Sequence, residues 1–238
     1  MILECEHVVA GYDGSDILKG LSFSLEKGTT TCIVGPNGAG KSTVLRVLSG
    51  LLKTRQGKVI FNGQSLAGRS TSQILSLGIV QVPQEHSLFP EMTVKENVRL
   101  GGYLLRDNAL VNKRLQEVEE LFPLVKERAS ERAVNLSGGQ RRLIEFARAL
   151  MLDPTLILLD EPSMGLDPKT LKQIFDSMKA MQEIGKTILL VEQNVRAGLS
   201  VATHGLVLES GKVRMEGSAQ DVLHNPEIGS LYLGGTVK

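Results

Sequence analysis

The chain has 238 residues, 42% of them hydrophobic and 22% charged, with a formal net charge of +1. This is enough apolar material for a large core in one or two subdomains, and the charge balance excludes the basic field that holds nucleic acid. No apolar run approaches the roughly 18 residues of a membrane span, MILECEHVV lacks the features of a signal peptide, and Cys5 and Cys32 are too few for a disulfide framework, so a cytosolic chain is expected.

Taken in chain order, Leu3 to Val9, Leu21 to Leu25 and Lys58 to Asn62 are short strand-like runs between glycine-bearing turns. They predict an antiparallel lobe around the first parallel strand. That strand is TTTCIVG, Thr29 to Gly35, β-branched and apolar enough to be buried, with Cys32 read as a small buried hydrophobe. Gly35, Pro36, Asn37, Gly38, Ala39, Gly40, Lys41, Ser42 and Thr43 follow, matching G-x-x-x-x-G-K-S/T, and Val44, Leu45, Leu48 and Leu51 then recur at helical spacing. Glycines leave successive N–H groups free to wrap phosphate oxygens, and a helix N-terminus favours an anion. Lys41 adds a charge near the β and γ phosphates, and Ser42 is expected to ligate Mg²⁺. The flanking strand and helix weigh against a glycine-rich turn with no ligand.

From about Val94 to Leu152 the pattern is mostly helical, as with Leu115, Val118 and Phe122, with interruptions at Pro123 and at LSGGQ, Leu136 to Gln140. Ser137, Gly138 and Gly139 open the apolar-periodic stretch Leu143 to Leu150, a second phosphate-seeking helix start. One nucleotide on one chain does not obviously need two. Arg141, Arg142 and Arg148 are expected on a solvated helix face. Strands Leu156 to Leu159 and Thr187 to Val191 flank the helical segment Thr170 to Ile184, a βαβ rhythm that implies a parallel sheet. Asp160 and Glu161 end the first of these strands, at the sheet edge where ligands bind. Asp160 is assigned to the metal, through water, and Glu161 to an attacking water, against the alternative that the pair merely caps the helix after Pro162. The expectation is an α/β P-loop fold in a single domain, residues 1–238, with a nucleotide-binding core at about 1–85 and 153–238 and a helical subdomain inserted at about 86–152.

The glycine loop, LSGGQ and LILLDEP, in this order, resemble the ATP-binding cassette (ABC) family, the ATPase subunits of ABC transporters, over essentially the whole chain. The resemblance implies a RecA-like core, ATP and Mg²⁺ as ligands, and a head-to-tail dimer in which each ATP lies between one subunit's P-loop and the LSGGQ of the other, including Gln140. It further implies that Tyr12, in VVAGYDG, stacks on adenine and that Gln84, in VPQEHSLFP, reaches the metal and water and touches the membrane partner. Asp167 is then the carboxylate of the D-loop SMGLD. The implied partners are transmembrane permease subunits, a second ATPase subunit and, indirectly, a periplasmic binding protein, with the chain peripheral at the cytoplasmic face of the inner membrane. Most cassettes carry a histidine after the last core strand, contacting the γ phosphate; here VEQNVRAGL places Gln193 there. Glutamine can donate a hydrogen bond but cannot titrate, so slower hydrolysis is expected. His7, His86, His204 and His224 are expected at the surface.

LLVEQN (Leu189 to Asn194), SMGLDP (Ser163 to Pro168), LFPEMTVKENV (Leu88 to Val98) and LYLGG (Leu231 to Gly235) are similar to one branch, the second ATPase subunit of branched-chain amino acid importers. That subunit also has glutamine where its companion ATPase has histidine, which implies a heterodimer. LSGGQRR in place of LSGGEQQ and VPQ in place of VPE depart from the branch, and urea and amide importers carry similar variants. A lipopolysaccharide-export ATPase would be expected to have histidine at position 193. A soluble cassette of iron–sulfur assembly or the ribosome is a rival of another class. A DNA-repair cassette would need a long coiled coil between Gly50 and Leu136, and that interval is too short.

Overall fold

The computed structural model describes residues 1–85 and 87–228; His86 and the LYLGG ending fall outside the described residues. Strands β1 (Leu3–Tyr12) and β2 (Ser15–Leu25) form a hairpin whose two-residue connection, Asp13–Gly14, has positive φ at both positions, 46° and 82°. That turn matches the twist of the strands it joins. β4 (Gln56–Phe61) adds antiparallel to β1, and β5 (Gln64–Ser65) completes a four-stranded sheet in the order β2-β1-β4-β5. The expected antiparallel lobe is present, but β3 (Thr30–Val34) lies in another sheet.

That second sheet has six strands in the order β10-β9-β3-β8-β7-β6, formed with β6 (Ile79–Val82), β7 (Leu156–Asp160), β8 (Thr187–Glu192), β9 (His204–Glu209) and β10 (Lys212–Ser218). All its pairings are parallel except β9 with β10. Its inner strands read as continuous apolar runs because both faces are covered. Ile33, Leu158, Leu189 and Leu206 pack on the face shared with the antiparallel lobe and with α1 (Lys41–Leu48). Their sequence neighbours Cys32, Leu159, Leu190 and Val207 pack on the opposite face, with α6 (Gly138–Leu150), α7 (Pro168–Glu183) and α8 (Val195–Ser200).

Between β6 and β7 lie α3 (Val94–Leu100), α4 (Asn108–Leu121), α5 (Pro123–Glu127), a 3₁₀ turn at Ala133–Asn135, and α6. Leu115, Val118 and Phe122 are buried, as their spacing predicts. Pro123 does more than interrupt the pattern: it starts α5, where a missing N–H costs nothing. Leu51 lies beyond the end of α1 and is exposed. α2 (Thr71–Ser76) precedes β6, and α9 (Ala219–His224) follows β10. Cys5 and Cys32 are both buried thiols, and His7, His204 and His224 are exposed.

Candidate functional site

The loop between β3 and α1 turns on Gly40, the residue capping α1, at φ 105°. A side chain there would be strained, and its Cβ would stand 2.9 Å from Leu18 Cδ2. The loop borders an open cleft of about 500 Å³ lined also by Tyr12, Gln84, Glu161, Met164 and Gln193. Lys41 folds back so that its Nζ donates to Gly35 O (2.9 Å) and Pro36 O (3.2 Å), carbonyls of its own loop. Burial pulls its ammonium below the ordinary lysine value, opposed by Glu161, Asp160 and Glu192 nearby.

Ser42 Oγ donates to Asp160 Oδ1 at 3.1 Å, joining the first turn of α1 to the end of β7. Burial raises the Asp160 carboxyl, which the Ser42 bond partly offsets. No cluster of three or more histidine, cysteine or acidic side chains able to hold a metal occurs among the described residues. Two hard oxygens from the chain, with the rest of the shell left to phosphate and water, suit Mg²⁺, which keeps several waters and takes few protein ligands. Glu161 follows at φ 44°, a left-handed conformation that a non-glycine residue keeps only when its surroundings hold it, and its N–H donates to Val191 O at 2.9 Å. Gln84 Nε2 donates to Glu161 Oε2 at 3.3 Å. Tyr12 is 38% exposed at the rim, and Arg46 Nη1 donates to its hydroxyl at 3.1 Å.

One carboxylate here was not anticipated. Glu192 ends β8 beside Gln193, is 2% exposed, and accepts from the Ser163 N–H at 3.1 Å. Burial raises its carboxyl above the ordinary range, opposed by that bond. An acidic residue closing the apolar run Ile188 to Val191 was the available signal.

LSGGQ stands apart. Ser137 caps α6 in a reciprocal box with Gln140, and Gly139 packs against Thr170 of α7. None of Ser137, Gly138, Gly139, Gln140 or Asp167 lines the cleft. Asp167 caps α7, accepting from the Lys169 and Thr170 N–H groups. The chain thus carries two helix starts, at Gly40 and at Ser137, of which only the first borders the cleft.

The arginines of α6 need correction. Arg142 is 5% exposed rather than solvated: it donates to Pro83 O (2.7 Å) and Gln84 O (2.6 Å) and pairs with Glu145 at 2.9 Å. Arg148 is half-buried and donates to Ser87. Carbonyls at the end of β6 supply the acceptors that burial demands.

The family model described as ABC transporter matches residues 18–164. A high-affinity branched-chain amino acid transport ATP-binding protein of Pseudomonas aeruginosa, BraG, is 37% identical, covering 98% of this chain and 100% of that one. The lipopolysaccharide export system ATP-binding protein LptB of Haemophilus influenzae is 30% identical, covering 100% of this chain and 99% of its own. Among solved structures, the ADP conformation of an ATP-binding cassette of an ABC transporter superposes with a TM-score of 0.87 at 31% identity, over 98% of this chain and 99% of that one.

Proposed function

Because the chain belongs to the ABC transporter family and is an ATPase of that family, we propose that it powers an importer of branched-chain or related hydrophobic amino acids. The observation that carries the catalytic part of this reading is the convergence of Lys41, the Ser42–Asp160 pair and the Gln84–Glu161 pair on one cleft. The importer assignment rests on the 37% identity to BraG along that protein's whole length, and on Gln193 in the position where a histidine would be expected of a lipopolysaccharide exporter.

In this reading the amides of Gly35 to Thr43 wrap the phosphates, and Lys41 exchanges the Gly35 and Pro36 carbonyls for phosphate oxygens, gaining charge-assisted bonds. Tyr12 stacks on the base. Ser42, Asp160 through water, and Gln84 would hold Mg²⁺, and that ion would neutralise charge on the phosphates. Glu161 orients the attacking water and takes its proton, Gln84 keeps that carboxylate aimed, and Gln193 donates a hydrogen bond to the γ phosphate. Ser137 to Gln140 and Asp167 complete the site of a second ATPase subunit, which answers why they do not line the cleft of their own chain. ATP binds only the closed pair fully and so shifts the population towards closure, and hydrolysis reopens it.

No helix among the described residues is long and apolar enough to cross a membrane. The chain is placed at the cytoplasmic face of the inner membrane through permease subunits, with a periplasmic binding protein acting indirectly and no nucleic acid involved. A groove of about 550 Å³ between the parallel sheet and the helical subdomain, with Phe89 and Tyr103 exposed at its edge, supports docking of a short cytosolic helix of the permease. The helical subdomain at about 86–152 then moves against the core at about 1–85 and 153–238.

The test is light scattering on Glu161→Gln, with and without ATP and Mg²⁺, alone and mixed with candidate partner cassettes. ATP-dependent dimers only with a histidine-bearing partner are expected. An ATP-dependent homodimer of this chain alone would favour the exporter or soluble-ATPase readings.

A further inference from the structure

The segment that follows β6 is gripped from one side by α6. Arg142 spans three acceptors: Nη1 donates to Pro83 O (2.7 Å) and contacts Glu145 Oε2 (2.9 Å), while Nη2 donates to Gln84 O (2.6 Å). Glu145, 1% exposed, accepts from the Ser87 N–H at 2.6 Å and from its hydroxyl at 3.3 Å. Arg148 donates to Ser87 O at 2.8 Å and to the Ser87 hydroxyl. The backbone is therefore held at Pro83, Gln84 and Ser87 by charge-assisted bonds to Arg142 and Glu145, side chains that are themselves buried, so that losing one partner is costly. The Gln84 side chain reaches out, its Nε2 donating to Glu161 Oε2 at 3.3 Å and to Met164 Sδ at 2.9 Å.

We propose that Arg142 and Glu145 are positioning residues for ATP hydrolysis, holding the Pro83–Gln84 backbone so that the Gln84 amide stays within reach of Glu161. The guanidinium fork is needed because one group must satisfy two carbonyls and a carboxylate at once, which the point charge of lysine cannot reproduce. The same grip makes α6, whose first turn is the LSGGQ segment, and the Gln84 segment move as one piece. A shift of Ser137 to Gln140 on engaging nucleotide thereby reaches Gln84 through two side chains, without passing through the rest of the helical subdomain. The inference rests on the reading of Glu161 and Gln84 given above.

The experiment is a double-mutant cycle of Arg142→Lys with Gln84→Ala, measuring kcat and KM for ATP by the chain in its assembled ATPase dimer, with thermal unfolding in parallel. Arg142→Lys is expected to lower kcat about tenfold or more, since small misplacements at a reacting centre carry large penalties, with KM within about twofold and cooperative unfolding retained. Glu145→Gln, which keeps an acceptor for Ser87, is expected to give a smaller loss of the same kind. The double variant is expected to be no slower than Gln84→Ala alone. Multiplicative losses in the cycle, an unchanged kcat in Arg142→Lys, or parallel loss of kcat, KM and melting temperature would each overturn the proposal. Glu161→Gln serves as the separate control: if it retains turnover, the catalytic reading fails, whatever the cycle shows.

Discussion

Gly139→Ala is a severe test of how α6 and α7 fit together. A Cβ at that position would stand 2.0 Å from Thr170 Cγ2, far inside any real carbon–carbon contact, but 3.3 Å from Thr170 Cβ and 3.4 Å from its Oγ1. The clash is with one methyl group. Rotating Thr170 to move that methyl would break the bond from its hydroxyl to Asp167 Oδ2, so relief must come largely from separating the helices. Overpacking of this kind costs about 1–3 kcal/mol. At about 2–4 °C for each kcal/mol in a chain of this size, the midpoint of that range lowers the melting temperature by about 4–8 °C. Thr170→Ser deletes the offending methyl and keeps the hydroxyl, so the double variant is expected to recover most of the loss. Calorimetry on the two single variants and the double gives the coupling directly. A wild-type melting temperature for Gly139→Ala, or a double variant no more stable than Gly139→Ala, would refute the reasoning.

Three further outcomes follow from the site. Glu192 is held above the ordinary glutamate range by burial, so its protonated form favours the folded chain; that contribution is fully present below the unfolded-state value and is lost as pH rises through the folded-state value. Glu192→Gln keeps an acceptor for the Ser163 N–H and is expected to melt above the wild type near pH 8 and level with it in acid, as unfolding curves across pH would show. Gln193→His is expected to raise turnover, and an unchanged rate would count against the slower hydrolysis expected of glutamine at that position. Phe89→Ser, at the edge of the apolar groove and 53% exposed, is expected to uncouple transport from ATP hydrolysis in the assembled transporter; equal loss of both would point to a simple catalytic defect.

Much of the site was legible because its chemistry lies in contiguous segments. Gly35 to Thr43 and Asp160–Glu161 declare themselves by residue type alone, and the apolar runs before them predict the strands that bring them to one edge. The missed features depend on three-dimensional neighbours. Arg142 and Arg148 read as a solvated face because charge alone does not show burial, although Arg142 shares a helical stripe with the buried Phe146 and Ala149, and Glu145 on the same helix drew no reading at all. Glu192 depends on β8 lying between β3 and β7, an order that chain sequence does not display. The β9–β10 hairpin also escaped, although Ser210–Gly211, with φ of 49° and 80°, is a two-residue turn of hairpin type.

The central sheet is a party wall between two interiors. Because its strands alternate faces, Leu158 and Leu159 share a peptide bond yet live in different cores, whereas Leu158 and Leu189, 31 positions apart (189 − 158) and paired in register across β7 and β8, share one. Truncations of Leu158 and Leu189 should compensate or compound each other through common packing, while those of Leu158 and Leu159 should approach independence. For this chain, adjacency in the gene is a poor map of which substitutions can be inherited safely together; parity along each strand is the better one.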